Sequence, residues 1–133
     1  DTGLAAFLAG FRSPRELASS ALAGAFWEAY VFGQIVRQAA SRADAAPVNY
    51  WRTAGGPEVD VVIEHAGALT AIECKWKEHP APADAGGLKA LEAAEPGRVK
   101  QKMIVCRTKA AYRLPDGTWV VNTSEALKRL AST

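Results

Sequence analysis

Asp60, Glu73 and Lys75 are the residues of this chain whose types and spacing could do chemistry. They lie in one stretch, Glu58-Val59-Asp60-Val61-Val62-Ile63-Glu64-His65-Ala66-Gly67-Ala68-Leu69-Thr70-Ala71-Ile72-Glu73-Cys74-Lys75-Trp76. The apolar-rich runs Val59 to Ile63 and Leu69 to Trp76 flank an Ala66-Gly67 turn signal, which predicts a β-hairpin. An even-numbered connection centred on that turn pairs His65 with Ala68, Ile63 with Thr70 and Asp60 with Glu73. Side chains alternate along a strand, so Asp60, Glu73 and Lys75 fall on one face. Val59, Val61, Ile63, Ile72, Cys74 and Trp76 take the other.

Two carboxylates opposed across a ladder cost about 0.2–1 kcal/mol on an exposed sheet, and more in a dry site. Two compensations are open. A divalent cation such as Mg²⁺ or Mn²⁺ would take oxygen ligands from one or two carboxylates and keep waters for the rest. Alternatively, Lys75 neutralises one acid and the other sits at a wet edge. A one-residue bulge in the turn would break this register.

A further acid stands on the longest predicted helix, from Ala21 to about Ala40. Glu28, Val31, Phe32 and Ile35 recur there at i, i+3, i+4 and i+7, which sets one carboxylate on an apolar stripe. Such an acid needs a partner or an outlet to solvent.

The remaining elements must position these groups. Gly3 to Ala9 and Pro14 to Ala23 read as short helices, with Ser13 as N-cap and Pro14 at the first helical position. They form a lead-in, residues 1–20, to an α/β domain over 21–133. After a link from Ser41 to Pro47, Val48 to Thr53 reads as a strand with Trp51 in the core and Arg52 at the surface, and Ala54-Gly55-Gly56-Pro57 as a turn. Glu78 to Gly87 reads as a mobile loop and Leu88 to Ala94 as a helix. Lys102 to Cys106 has the pattern of a buried strand. Ala111 to Leu114 and Thr118 to Val121 flank a Pro115-Asp116-Gly117 turn, and Thr123 or Ser124 caps a last helix, Glu125 to Leu130. The expected class is α/β, a mixed sheet flanked by helices.

Composition limits the partners. The chain of 133 residues carries a net charge of +2, but the charge is uneven. Residues 1–74 hold five Lys/Arg against eight Asp/Glu, whereas residues 75–113 hold nine against four. The second group includes Lys75, Lys77, Arg98, Lys100, Lys102, Arg107, Lys109 and Arg113. Such a basic rim beside acids suits a phosphate backbone, and equally a solvated surface. No apolar run reaches the roughly 20 residues of a membrane span, and no signal peptide is visible. Cys74 and Cys106 sit in apolar runs, as reduced core thiols of a cytoplasmic protein would. The two Cys and two His have no zinc spacing. A chain that opens on Asp1 and not Met is expected to be a piece of a longer one.

A helix with one Glu (Glu28), a strand with Asp60 and a strand reading Glu73-Cys74-Lys75 resemble the PD-(D/E)XK nuclease superfamily, the restriction-endonuclease-like fold with its α-β-β-β-α-β core. More closely, Tyr50-Trp51-Arg52-Thr53, Glu58-Val59-Asp60 and Ile72-Glu73-Cys74-Lys75 are similar to an uncharacterised domain found C-terminal to AAA+-type ATPase cores in bacteria and archaea. Asp1-Thr2-Gly3-Leu4 and Phe26-Trp27-Glu28 fit it too. The resemblance implies that Asp60, Glu73 and the Cys74 backbone carbonyl hold Mg²⁺ or Mn²⁺. It gives Lys75 the attacking water and Glu28 a metal-linked water or second ion. DNA is the implied substrate, an ATPase domain the implied neighbour, and a homodimer would supply the two sites that cutting both strands takes. One departure is that Pro57 precedes Asp60 by three residues, so the Pro-Asp dipeptide is absent. The competing expectation is a catalytically silent module that binds nucleic acid or a protein partner.

Overall fold

The computed structural model describes residues 1–41 and 46–132, so most of the predicted link from Ser41 to Pro47 lies outside the described residues. The hairpin forms in the expected register. Strands β2 (Glu58–His65) and β3 (Ala68–Cys74) pair antiparallel from His65 opposite Ala68 to Val61 opposite Ile72. Ala66 and Gly67 both take positive φ, 48° and 79°, the geometry a two-residue turn needs to follow the twist of its strands.

Strand β3 lies inside a six-stranded mixed sheet. Strand β1 (Val48–Arg52) borders β2, while β4 (Val99–Val105) runs parallel beside β3 and β6 (Trp119–Val121) parallel beside β4. The short β5 (Tyr112–Arg113) closes the far edge through the hairpin around Pro115-Asp116-Gly117. A strand covered on both faces cannot alternate apolar with polar. Leu69, Ala71, Ile72 and Cys74 are accordingly all buried, and with them the polar Thr70 and the charged Glu73.

Two helical layers cover the sheet. On one face α3 (Ala23–Ala40) and α5 (Thr123–Ala131) pack Val31, Ile35 and Ala126 onto Val61, Ile72, Met103, Val105 and Val121. On the other, α4 (Gly86–Ala94) packs Leu88 and Leu91 onto Val62, Ala71, Ile104 and Val120. Gln38 Nε2 donates to the Leu127 carbonyl at 2.8 Å and ties α3 to α5. Both cysteines are free and buried, Cys74 against α3 and Cys106 against α4. Trp51 packs on the core and Arg52 is exposed, as expected. Among the described residues no helix is long and apolar enough to cross a membrane.

Several expectations need correction. Val59 and Val61 do not share a face: Val59 packs in the α4 cluster and Val61 in the α3 cluster. The cause is a bulge between β1 and β2. Asn49 opposes Val62 but Trp51 opposes Val59, so Tyr50 alone faces both Asp60 and Val61. An extra residue breaks the period of two and re-aims the side chains around it. The stripe of α3 is also displaced. Val31 and Ile35 are fully buried with Trp27 packed beside them, whereas Phe32 is 42% exposed and Glu28 faces solvent.

The expected loop from Glu78 to Gly87 is partly built. Its Pro82–Ala85 segment is a 3-10 turn, pinned where Asp84 accepts from the Ala81 N–H and from Lys77 Nζ, each at 2.7 Å. Asn122, not Thr123 or Ser124, caps the last helix by accepting from the Glu125 N–H at 3.0 Å. The lead-in helices are α1 (Thr2–Leu8) and α2 (Pro14–Ala18). Ser13 caps α2 as predicted, but that helix stops five residues short of Ala23.

Candidate functional site

Strands β3, β4 and β6 are mutually parallel, so their carboxyl ends lie along one edge of the sheet. Ligand sites in α/β sheets favour that edge. Glu73 and Lys75 stand at the end of β3, and the antiparallel β2 brings Asp60 to the same edge from its amino end.

Asp60 is fixed by a backbone contact. Its Oδ2 accepts from the Cys74 N–H at 2.7 Å, at the point where β2 carries its bulge against β1. Burial raises the Asp60 pKa, and the Cys74 N–H and Lys75 only partly offset it. Glu73 is 5% exposed and points into the α4 layer. Its Oε1 takes the Lys75 ammonium at 2.6 Å, while Oε2 is buried with no hydrogen-bond partner. Burial and the nearby charges of Asp60 and Glu58 push its pKa up to about 7 despite that ammonium. Burial works against the Lys75 charge, but the bond to Glu73 and the fields of Glu73 and Asp60 outweigh it, and the ammonium's pKa rises.

Glu28 approaches from the α3 layer. Partial burial of its carboxyl, then Asp60, then Glu58 raise its pKa. The charge of Asp60 raises the pKa both of Glu28, on α3, and of Glu73, on β3. The predicted residues do meet at one edge, but in two grades. Asp60, Glu73 and Lys75 are linked by hydrogen bonds through the end of β3, whereas Glu28 is joined to them by its field. The Cys74 side chain is buried against α3 and its thiol pKa is raised chiefly by burial, which leaves a packing residue.

Two residues at the site were not anticipated. Glu58 adds to the pKa of Glu28, Asp60 and Glu73 alike, and its position two before Asp60 was the available signal. Gly87, in the first turn of α4, has no room for a side chain. A Cβ there would run into the Glu58 carbonyl oxygen and come within 3.4 Å of Glu73 Oε2. Gly87→Ala should destabilise the domain by about 1–3 kcal/mol, because backbone must move against backbone. Gly86→Ala is the control. It has helical φ and open space, and should be neutral or stabilising by up to about 1 kcal/mol. Thermal melts of the two variants check this, and equal melting temperatures would contradict the close approach.

The basic rim does not stay free. Lys75, Lys77, Arg98, Lys102 and Arg107 are paired with Glu73, Asp84, Glu64 and Glu95, Glu92 and Glu78 respectively. Arg113 lies over the Trp119 ring at 4.3 Å.

The cluster can be tested for fit to a hard cation. Among the described residues no three His, Cys, Asp or Glu side chains converge closely enough to hold a metal ion between them. An all-protein cage of the kind calcium prefers is therefore not built here. Three acids with raised pKa values and one orphaned buried carboxylate oxygen do suit Mg²⁺, which needs one or two carboxylates and keeps its waters.

Fold and site together define a mixed α/β domain with a cluster of acids at the carboxyl ends of its parallel strands. The family described as Domain of unknown function (DUF4143) matches residues 23–126, and the chain belongs to it. Domains of that family sit C-terminal to AAA ATPase domains. The match opens at α3 and closes within α5, leaving α1 and α2 outside it. No curated protein matches the chain.

Proposed function

We propose that this domain is a restriction-endonuclease-like, Mg²⁺-dependent nuclease of the PD-(D/E)XK type, hydrolysing phosphodiester bonds of DNA as the C-terminal part of an ATPase protein. The observation that carries the reading is the buried, partnerless Oε2 of Glu73 beside Asp60, with Glu28 and Glu58 adding to the same negative field. The element order from α3 through β1, β2, β3 and α4 to β4 supports it.

In this reading Asp60 and Glu73 hold the ion, helped by the Cys74 carbonyl. Bound there, Mg²⁺ would lower the pKa of a coordinated water and offset charge developing on the phosphate. Lys75, freed from Glu73, orients the attacking water and offers its ammonium to the phosphoryl oxygens. Glu28 holds a water at the outer side. Gly87 keeps α4 close enough for Glu73 to stay buried.

Incubation of supercoiled plasmid and branched DNA with the domain and Mg²⁺ or Mn²⁺ tests the reading. Metal-dependent nicking that Glu73→Ala removes is the expected result. Intact DNA after prolonged incubation in both metals sinks it.

A second reading has its own support. Lys75 is already paired with Glu73, Asp60 is engaged by a backbone N–H, and most of the basic rim is neutralised internally. A catalytically silent module of the same fold, binding nucleic acid or a protein partner for the ATPase, would look like this. Calorimetry separates the two: metal binding lost in Glu73→Ala belongs to the nuclease, and DNA binding indifferent to metal belongs to the silent module.

A further inference from the structure

A cleft of about 470 Å³ lies between the lead-in helices, α3 and Trp76. That volume falls in the range of about 300–1,000 Å³ typical of ligand pockets. Its walls are unusually aromatic, with Phe7, Phe11, Phe26, Trp27, Tyr30 and Trp76 all contributing. Two of them are chain neighbours of site residues: Trp27 precedes Glu28 and Trp76 follows Lys75.

The two indoles are held in place. Trp27 Nε1 donates to the Val105 carbonyl at 3.1 Å and Trp76 Nε1 to the Ala18 carbonyl at 3.2 Å, and the ring centroids stand 5.5 Å apart. With both N–H groups spent on backbone and the indoles packed against each other, Tyr30 and Arg107, the ring surface left to a partner is chiefly that of Phe7 and Tyr30. Cations sit alongside. Arg107 covers Trp76 at 4.2 Å, and Arg12 lines the cleft and covers Phe7 at 4.7 Å. Phe7 and Tyr30 remain 58% and 38% exposed.

We propose that this cleft is a stacking subsite for unpaired bases of the DNA strand presented to the acidic site. The inference rests on the nuclease reading for its location, but not for its chemistry. Aromatic faces flanked by guanidinium groups bind single strands with little sequence preference, because every base has a π-face. Duplex DNA, whose bases are already stacked, gains nothing from such walls.

The test uses the chain in EDTA, where no cleavage can occur, with a labelled oligothymidylate and a blunt duplex of the same length. Phe7→Ala and Tyr30→Ala, both at exposed positions, should weaken oligothymidylate binding about fivefold to a hundredfold and leave duplex binding unchanged. Oligothymidylate should also quench the emission of the wild-type tryptophans. Affinity for the single strand that neither substitution alters overturns the proposal, as does preference for the duplex. The second result leaves cleavage of duplex by the acidic site intact, so the two readings fail separately. If oligothymidylate does not bind at all and the exposed rings are covered only by a protein partner, the subsite is likewise overturned.

Discussion

Replacing Asp60 by Asn should lower the proposed Mg²⁺-dependent cleavage by about a hundredfold to a thousandfold, equivalent to about 3–4 kcal/mol of transition-state stabilisation. The choice of Asn isolates charge from structure. Its amide oxygen can still accept from the Cys74 N–H, so the end of β3 stays tied. What disappears is the negative charge that Glu28 and Glu73 both feel. Folding should be unchanged or slightly improved. Asp60→Ala leaves the Cys74 N–H without its acceptor, and should add about 1–3 kcal/mol of destabilisation. Rates for both variants set against their melting temperatures check the argument. An Asp60→Asn protein that cuts at the wild-type rate would remove the carboxylate from the chemistry.

The second large effect is on stability and pH. In the metal-free domain the Glu73 pKa stands at about 7 against 4.5 for an ordinary glutamate. Between those values the folded chain keeps a proton that the unfolded chain has released. Stability must therefore fall as pH rises through that window, by on the order of 3 kcal/mol once Glu73 is ionised. Asp60 and Glu28 are shifted in the same direction and add to the fall. Glu73→Gln cannot ionise and removes the largest part of it. Urea unfolding in EDTA at pH 5 and pH 8 should show the wild type losing stability over that interval, while the variant holds most of its own. Parallel profiles would mean that the Glu73 carboxyl is not desolvated. Added Mg²⁺ should restore the wild type at pH 8, because an ion that binds only the folded state stabilises it by mass action.

The hairpin could be read because its register is local. A two-residue turn fixes the pairing of His65 with Ala68, and the pairs as far as Val61 with Ile72 follow, while the expected pair of Asp60 with Glu73 lies beyond the paired residues. The acids of β2 and β3 were legible for the same reason. The bulge at Asp60 was not, since it is a relation between β2 and a strand on its other side and is set by how Trp51 and Val59 pack under α4. Glu28 was recognisable as the acid of the long helix, but its stripe was misplaced. Trp27, Val31 and Ile35 turn inward because the sheet offers them Val61, Ile72 and Val105, and that choice belongs to the tertiary fold.

Charge counts along the chain misled in a related way. The basic segment looks unbalanced only until distant acids fold against it. Arg98 meets Glu64 across 34 residues and Arg107 meets Glu78 across 29. The Pro82–Ala85 turn escaped notice because proline, alanine and glycine resemble a loop, whereas the bonds that pin it come from the side chain of Asp84. The closeness of Gly87 to Glu58 and Glu73 has no signature in sequence beyond a second glycine in the pair Gly86-Gly87.

Crystals soaked in Mn²⁺ and measured for its anomalous signal test the account most directly. One strong peak should appear about 2.1 Å from an oxygen of both Asp60 and Glu73, with Lys75 Nζ drawn off Glu73 Oε1. A cluster that stays empty at millimolar Mn²⁺, with Lys75 still on Glu73, would show that the ammonium alone balances these acids and that no hydrated ion belongs there.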